Sequence, residues 1–160
     1  MTGSNSSDII YAQGGNDTLY GYGGADKLYG GDGNDRIYGG DGSDRIEGGA
    51  GNDGLYGQKG NDTFVFSGVE FGVDTIADFV RGQDRIDLSG IDANRRASGD
   101  QAFTFLGTTP FTGVAGQLHI ELAAASNVTN VMGDTNGDGM ADFMIKLANI
   151  LPLSQGDFIL

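Results

Sequence analysis

The chain has 160 residues, of which 22 are acidic and nine are Lys or Arg, so its formal charge is -13. This acidic excess argues against nucleic acid or an anionic membrane as the main partner, since phosphate binding needs a basic surface, and it favours cations. The absence of cysteine excludes disulfides, thiolate metal sites and thiol nucleophiles. No apolar run reaches the roughly 18 residues of a membrane span, and we expect no N-terminal signal peptide.

Aspartate recurs every nine residues through the glycine-rich first part of the chain. These residues are Asp8, Asp17, Asp26, Asp35, Asp44, Asp53 and Asp62. Two places after each aspartate stands an apolar residue, in order Ile10, Leu19, Leu28, Ile37, Ile46, Leu55 and Phe64. Glycine permits the positive φ angles of tight turns, and polar-apolar-polar alternation favours a strand, so each unit predicts a turn followed by a short strand.

Strands and tight turns that alternate in this way predict a parallel solenoid, in which unit n stacks on unit n+2 about 4.8 Å away. The apolar residues at the eighth place would then meet between two sheets and form a thin core. The aspartates would lie in two columns at the turns and repel one another. Carboxylates and turn carbonyls supply the roughly six to eight oxygens that Ca²⁺ prefers, so we expect bound calcium.

The units GGDGNDRIY (30–38) and GGDGSDRIE (39–47) match the GGxGxDxUx nonapeptide, and the chain resembles the RTX proteins, whose repeats form a calcium-binding parallel β-roll. The resemblance implies that the seven repeat aspartates are ligands of about five ions, together with turn carbonyls. Further candidates are the third-place Asp32 and Asp41 and the carbonyls of Gly30, Gly39 and Gly48. The alternative, a flexible linker, gives no reason for an apolar residue at every eighth place.

The side chains at the ninth place of each unit are expected to face outward. One sheet would carry a column of Tyr20, Tyr38 and Tyr56 beside Arg36, and the other would carry Tyr11, Tyr29 and Glu47 beside Lys27 and Arg45. Two interpretations stay open for the tyrosines. They form either a cross-strand aromatic ladder or a stripe that stacks on a sugar chain, with the cations holding an acidic polysaccharide.

After Ser67 the glycine period stops, and eight strand-like runs occur from residue 64 onward. They cover residues 64–67, 75–79, 85–88, 103–106, 117–122, 128–132, 143–147 and 158–160. Few segments have helical periodicity, so we predict an antiparallel, sandwich-like β region that caps the open end of the roll. The sequence thus predicts an all-β chain with a roll at 1–66 and a cap at 67–160.

Two segments of the second part, DTFVF (62–66) and VDTIADFVRGQDRIDLSGI (73–91), resemble the region after the β-roll in serralysin-type proteases. FTGVAGQL (111–118) and GDTNGDGMADFMIKL (133–147) resemble the terminal domain of that family. Such regions are attached to proteases, lipases and glycanases and, in related form, occur as R-modules of mannuronan C-5 epimerases. The resemblance therefore implies an architecture and leaves the activity of the parent protein open.

The second part also contains two weaker candidate metal sites. One comprises Asp134, Asn136, Asp138 and Asp142, and the other comprises Asp84 and Asp87. The first group, with Gly139 at its turn, is spaced like an EF-hand loop, but Ile145 stands where the bidentate acid belongs. The alternatives are a hairpin turn rich in Asp, Asn and Gly for the first group, and solvated turn residues for the second.

The chain ends with Asp157, Phe158, Ile159 and Leu160, which resembles the uncleaved signal that type I (ABC) exporters read. The alternative is a last β-strand, and both can hold if the segment is read unfolded and folds later. The one histidine, His119, has no HExxH motif around it, and no G-x-S-x-G, P-loop or dinucleotide motif occurs. We therefore expect no enzymatic activity in this chain.

These features predict a secreted, monomeric RTX module that folds on binding calcium outside the cell and carries the export signal of a larger protein. The main alternative is a polysaccharide-binding module like the R-modules of epimerases. A third, an adhesin repeat, would favour longer arrays.

Overall fold

The computed structural model describes all 160 residues and consists of β-strands and one 3₁₀ turn, Gln155–Asp157. The strands are β1 (Ile9–Tyr11), β2 (Thr18–Gly23), β3 (Lys27–Asp32), β4 (Arg36–Asp41), β5 (Arg45–Ala50), β6 (Gly54–Lys59), β7 (Thr63–Ser67), β8 (Val73–Ile76), β9 (Arg85–Gly90), β10 (Thr104–Phe105), β11 (Gln117–Ala123), β12 (Val128–Asp134), β13 (Phe143–Ala148) and β14 (Phe158–Ile159). They form a six-stranded sheet, β1-β3-β5-β7-β9-β14, and an eight-stranded sheet, β10-β11-β12-β13-β8-β6-β4-β2. The prediction of an all-β fold built on a parallel roll is confirmed.

Successive repeat units lie in opposite sheets, and each pairs in parallel with the unit two places on. Leu19 lies opposite Ile37, and Ile37 lies opposite Leu55, so the eighth residues are in register as predicted. From Leu19 to Phe64 these side chains are completely buried between the two sheets. Ile10, in the end strand β1, is partly exposed because β1 has β3 as its only sheet neighbour.

Both sheets continue past residue 66 without a break. β8 pairs in parallel with β6, and β9 pairs in parallel with β7, with an irregularity between Val65 and Ser67. These strands place Ile76 and Ile86 in the core directly after the last repeat residues, Leu55 and Phe64. The segment after the repeats therefore adds two more strands, one in each sheet, and thus one further turn of the roll, although its spacing is no longer nine.

The remaining strands extend the two sheets from β8 and β9. The antiparallel prediction holds for β11, β12 and β13, which form a meander through short turns. It is wrong for the others: β8 pairs in parallel with β6 and β13, β9 with β7 and β14, and β10 with β11. None of these pairs is a hairpin. β8, β9, β13 and β14 reach their sheet neighbours through the opposite sheet, and β10 is joined to β11 by the long connection 106–116.

All eight strand-like runs after residue 63 contain a strand, with ends shifted by up to three residues. Phenylalanines replace the aliphatic ladder at this end of the core. Phe66, Phe71, Phe143 and Phe103 follow one another with ring centroids 5.0 to 5.7 Å apart. The chain has no helix that is both long and apolar enough to span a bilayer.

Candidate calcium columns

The repeat aspartates form two columns along the turns of the roll. In each column, Oδ1 of one aspartate accepts a hydrogen bond from the backbone N–H of the preceding aspartate, at 2.7 to 3.0 Å. One column contains Asp8, Asp26, Asp44, Asp62 and Asp84, and the other contains Asp17, Asp35, Asp53 and Asp74. These bonds fix the orientation of each carboxylate and leave Oδ2 as its free oxygen.

Six of the free oxygens are buried and receive no hydrogen bond. They are Oδ2 of Asp26, Asp35, Asp44, Asp53, Asp62 and Asp74. A buried carboxylate oxygen without a donor or a cation is costly, because its hydration is lost and nothing replaces it. The six orphaned oxygens therefore fit a bound cation.

A second oxygen lies beside each orphaned one. A Cβ atom placed on Gly30 would overlap both Oδ2 of Asp35 and the carbonyl oxygen of Gly48, which belongs to the unit two places on. An equivalent pair, Oδ2 of Asp44 and the carbonyl oxygen of Gly57, lies beside Gly39. The first glycine of the repeat thus keeps open a space lined by carboxylate and carbonyl oxygens, the ligand chemistry that a hard cation such as Ca²⁺ prefers.

The first column is closed at both ends by protein donors. At the start, Oδ2 of Asp8 accepts bonds from the backbone N–H and the hydroxyl of Ser4, at 2.7 and 2.9 Å. At the far end, Oδ2 of Asp84 accepts the backbone N–H of Val80 at 2.8 Å. Asp8 and Asp84 therefore differ from the aspartates between them, whose free oxygens have no donor.

Burial raises the pKa of five column carboxyls, those of Asp44, Asp53, Asp62, Asp74 and Asp84. For Asp74 the pKa is raised to about 8, and for Asp53 and Asp62 to about 6. Desolvation is the largest cause; the bond from the preceding backbone N–H opposes it, and the neighbouring aspartates add repulsion. Asp44 and Asp84 shift the same way, also chiefly through desolvation. A bound cation would offset both the desolvation and the repulsion.

Asp74 is a column member that the nine-residue period does not predict. It is completely buried and stands 21 residues after Asp53, where the repeat interval across two units is 18. Asp84, predicted as a weak candidate, stands 22 residues after Asp62. The sequence signal that marks both is a polar-apolar-polar strand directly after each aspartate, Thr75-Ile76 and Arg85-Ile86, as in the repeat itself.

Asp87 lies on the outer face of β9, away from the columns. Its carboxylate forms an ion pair with Arg45 at 3.2 Å and accepts hydrogen bonds from the backbone and hydroxyl of Ser89. Desolvation raises the pKa of Asp87, but the bonds from Ser89 and Arg45 outweigh it, so the net shift is downward. Calcium binding at Asp87 would have to compete with the Arg45 guanidinium, which already pairs with this carboxylate.

Asp32 and Asp41 are exposed at the ends of their strands, in contrast to the buried column aspartates. Asp41 forms an ion pair with Lys59 at 3.0 Å, and both side chains are largely exposed. Their role as calcium ligands stays a prediction.

The loop at 134–142 is held by its own carboxylates. Asp134 accepts backbone N–H bonds from Asn136, Gly137 and Gly139, and Asp142 accepts bonds from Thr135 and Asn136. These bonds, with desolvation opposing them, hold the pKa of Asp142 below its usual value. Nowhere in the chain do three acidic or histidine side chains converge as a metal cluster. The arrangement is that of a hairpin turn, and a metal site here stays a prediction.

The outward tyrosines stack face to face along the predicted columns. The ring centroids of Tyr20 and Tyr38 are 5.0 Å apart and those of Tyr38 and Tyr56 are 4.6 Å apart, with planes within 19° of parallel. Tyr11 and Tyr29 stack in the same way at 4.6 Å. Since stacked rings cover one another's faces, this geometry favours the aromatic ladder over a sugar-binding stripe.

The C-terminal residues are folded into the six-stranded sheet. β14 pairs with β9, and the ring of Phe158 packs 5.4 Å from that of Phe105. The buried carboxylate of Asp157 accepts two bonds from Ser154 and lies 3.5 Å from Arg81. Desolvation raises the pKa of Asp157, but these contacts lower it by more. The terminal segment is therefore a strand of the folded molecule.

His119 lies on β11, where its Nδ1 is 2.8 Å from the carbonyl oxygen of Thr109 and its ring contacts Phe111. It has no carboxylate partner among its hydrogen bonds and lies outside the aspartate columns.

A parallel roll with glycine turns and two columns of aspartates, six of which have a buried Oδ2 without a donor, defines the class of RTX calcium-binding β-rolls. The RTX calcium-binding nonapeptide repeat, in four copies, matches residues 2–37. The chain belongs to the peptidase M10 serralysin C-terminal family, whose pattern matches residues 25–160.

Individual relatives are similar over part or all of the chain. The metallopeptidase AprA of Pseudomonas marginalis is 40% identical over 72 residues, which make up 45% of this chain and 13% of that protein. Two solved structures are the AlgE6R3 and AlgE6R2 subunits of the Azotobacter vinelandii mannuronan C5-epimerase. They are 29% and 28% identical, cover 98% and 99% of this chain and 80% and 91% of their own, and have TM-scores of 0.40 and 0.49.

Proposed function

We propose that this chain is a calcium-dependent folding and export module of a larger secreted protein. The single observation that carries the proposal is the set of six buried Oδ2 atoms, on six different turns, that receive no hydrogen bond. We assign one calcium ion to each of these oxygens, so about six ions complete the array. Their charge would bring the net charge of -13 close to zero.

The coupling of folding to calcium follows from linkage. The core of the repeats is one apolar side chain per unit, and the raised pKa values of Asp53, Asp62 and Asp74 mark repulsion and desolvation that oppose folding without metal. A cation that binds only the folded state adds its binding free energy to folding. At the submicromolar calcium of a cytosol the chain would stay unfolded, and at roughly millimolar calcium outside it would fold.

The export role rests on the terminal residues 157–160. An exporter reads an extended signal, and in the folded chain these residues are occupied as β14 and its capping turn. We infer that the signal is read while the chain is unfolded and that folding outside the cell then opposes return. Extracellular location is part of this proposal.

In this proposal, the activity of the larger protein belongs to a part outside this chain. The segment shared with AprA is 13% of that metallopeptidase, and the aspartates described above lie in columns, turns and ion pairs. We infer a non-catalytic module, attached to a secreted enzyme or another secreted protein.

Circular dichroism of the full chain tests the proposal, with calcium, with magnesium and with a chelator. We expect β structure to appear cooperatively with calcium and to be weak with magnesium, which demands near-octahedral geometry and dehydrates reluctantly. A D35N/D53N variant should need more calcium than the parent, whereas the matched E70Q/D100N variant, which removes two exposed charges outside every candidate site, should not. A fully folded chelated sample would refute the coupling.

The alternative, binding of an acidic polysaccharide along Tyr20, Tyr38 and Tyr56, has weaker support because these rings stack on each other. It is tested by titrating the calcium-loaded chain with a polyuronate and repeating the titration with all three tyrosines replaced by Ser. Absent or unchanged binding removes this alternative.

A further inference from the structure

A notch in the outer surface of the eight-stranded sheet lies apart from the calcium columns. At the second place of the repeat, Tyr22, Gly40 and Gln58 stand side by side on β2, β4 and β6. Tyr22 and Gln58 are exposed and Gly40 between them is buried, so the absent side chain of Gly40 leaves a gap between two walls. The cavity has a volume of about 640 Å³ and is also bordered by Tyr20, Tyr38, Asp41, Lys59 and Asp78.

Both walls of the notch have a backbone conformation that costs stability. The φ angles of Tyr22 and Gln58 are +74° and +69°, in the left-handed region that favours glycine. Glycine does occupy the second place in other units, as at Gly31 and Gly49. Side chains kept at such positions against their backbone preference are a feature of functional sites.

The Tyr22 ring has an open face. Its plane lies within 20° of that of Tyr20, and the Tyr20 ring stacks on Tyr38 in the neighbouring strand. Tyr22 has Gly40 opposite it in that neighbouring strand, and glycine has no side chain that could stack on the Tyr22 ring. Two strand spacings, about 9.5 Å, separate the backbones of Tyr22 and Gln58. The gap therefore admits one flat ring against the Tyr22 face.

The polar groups of the notch suit hydroxyl groups. The side-chain amide of Gln58 makes no hydrogen bond within the protein, and the Asp41–Lys59 pair is exposed. Asp78, whose carboxylate accepts the backbone N–H groups of Gly57 and Gln58, adds a second negative charge. One cation against two carboxylates disfavours an anionic ligand.

We propose that this notch binds a neutral sugar ring of a polysaccharide, with the apolar face of the ring on Tyr22 and its hydroxyls on Gln58 and the Asp41–Lys59 pair. An aromatic face for the C–H side of a ring and amide or carboxylate groups for its hydroxyls form a complementary set. The site adjoins the Tyr20-Tyr38-Tyr56 column, since Tyr20 and Tyr38 border the cavity, but its ring platform is Tyr22 and its ligand is neutral.

The test uses the full chain in calcium, after circular dichroism shows that it is folded. Maltohexaose, cellohexaose and mannohexaose are each titrated by two-dimensional NMR, and we expect one of them to shift the amide signals of Tyr22, Gly40 and Gln58. Y22G and Q58G should each weaken that binding about tenfold. Both variants put glycine where the backbone favours it, so neither should lower the melting temperature, and lost binding will not reflect misfolding.

Y11S is the matched control, because Tyr11 is an exposed tyrosine on the other sheet, and it should bind like the parent. The proposal is overturned if none of the three neutral hexaoses shifts these signals, if Y22G and Q58G bind as the parent does, or if a hexauronate binds more tightly than the neutral sugars. Each of these outcomes leaves calcium-dependent folding unaffected.

Discussion

The backbone N–H of Asp53 donates a hydrogen bond of 2.8 Å to Oδ1 of Asp74, although 21 residues separate the two instead of the 18 that the repeat requires. The same bond links Asp62 to Asp84 across 22 residues. The longer connections are absorbed in the turns, so the strands that follow still stack in register on the roll. The aspartate columns thus extend into the region that follows the nonapeptides.

The first prediction concerns Asp74. D74N keeps the acceptor for Asp53 and removes the charge, so the midpoint of calcium-induced folding should rise about tenfold in calcium concentration. Without calcium, at pH 8, the variant should fold at a lower concentration of the stabilising osmolyte trimethylamine N-oxide than the parent, because a desolvated charge is gone. Calcium titrations followed by circular dichroism measure the midpoint. D100N, at an exposed aspartate outside every candidate site, is the control, and an equal effect of both substitutions would contradict a special role for Asp74.

The calcium-free chain should be more stable at pH 5 than at pH 8. The pKa values of Asp53 and Asp62 are raised to about 6 and that of Asp74 to about 8, from 3.8. The folded state therefore holds more protons than the unfolded state between about pH 4 and 8, and stability rises as the pH falls through this range. The concentration of trimethylamine N-oxide that folds the chain in chelator, followed by circular dichroism at several pH values, measures the slope.

With calcium present the effect of pH should reverse, because protons compete with the ion for the same carboxylates. More calcium should then be required at pH 5 than at pH 7.5 for half-maximal folding. A calcium requirement that does not change with pH would show that the buried carboxylates are not the ligands.

Gly48 and Gly54 are a matched pair of glycines. A Cβ atom on Gly48 would overlap the carboxylate of Asp53, whereas the nearest atom to a Cβ on Gly54 is 3.6 Å away. We expect G48A to destabilise the calcium-loaded chain by about 1–3 kcal/mol and to weaken calcium binding. G54A should change stability by no more than about 0.5 kcal/mol. Unfolding by urea in millimolar calcium compares them, and equal stabilities would count against the oxygen-lined space.

The last strand should contribute to stability through one of its two residues. Phe158 is buried against Phe105, while Ile159 is 42% exposed. F158A should therefore cost about 3 kcal/mol, and I159A less than about 0.5 kcal/mol. If export depends on the apolar terminus itself, both variants should be exported poorly although only one is unstable. Export of I159A at the parent's level would argue against the signal.

Much of the roll can be predicted from the sequence because its contacts are periodic. Each nine-residue unit has an aspartate at its sixth position and an apolar residue at its eighth. These two positions determine the turn, the strand and the stacking partner, so the register from Leu19 to Phe64 is predictable. Outside the period the sequence predicts where strands lie but not their direction. The antiparallel prediction fails for several strands, because the pattern of one strand does not show whether a hairpin or a crossover joins it to its sheet neighbour.

The tertiary structure alone decided three further points. It placed Asp74 in a column, since only stacking shows that three added residues are accommodated in a turn. It showed that the tyrosine faces cover one another, which depends on side-chain rotamers. It also showed which carboxylate oxygens lack a donor, because that requires the position of every neighbouring group. The negative charge of -13 is visible in the composition, but the burial that leaves six carboxylate oxygens without a donor arises only on folding.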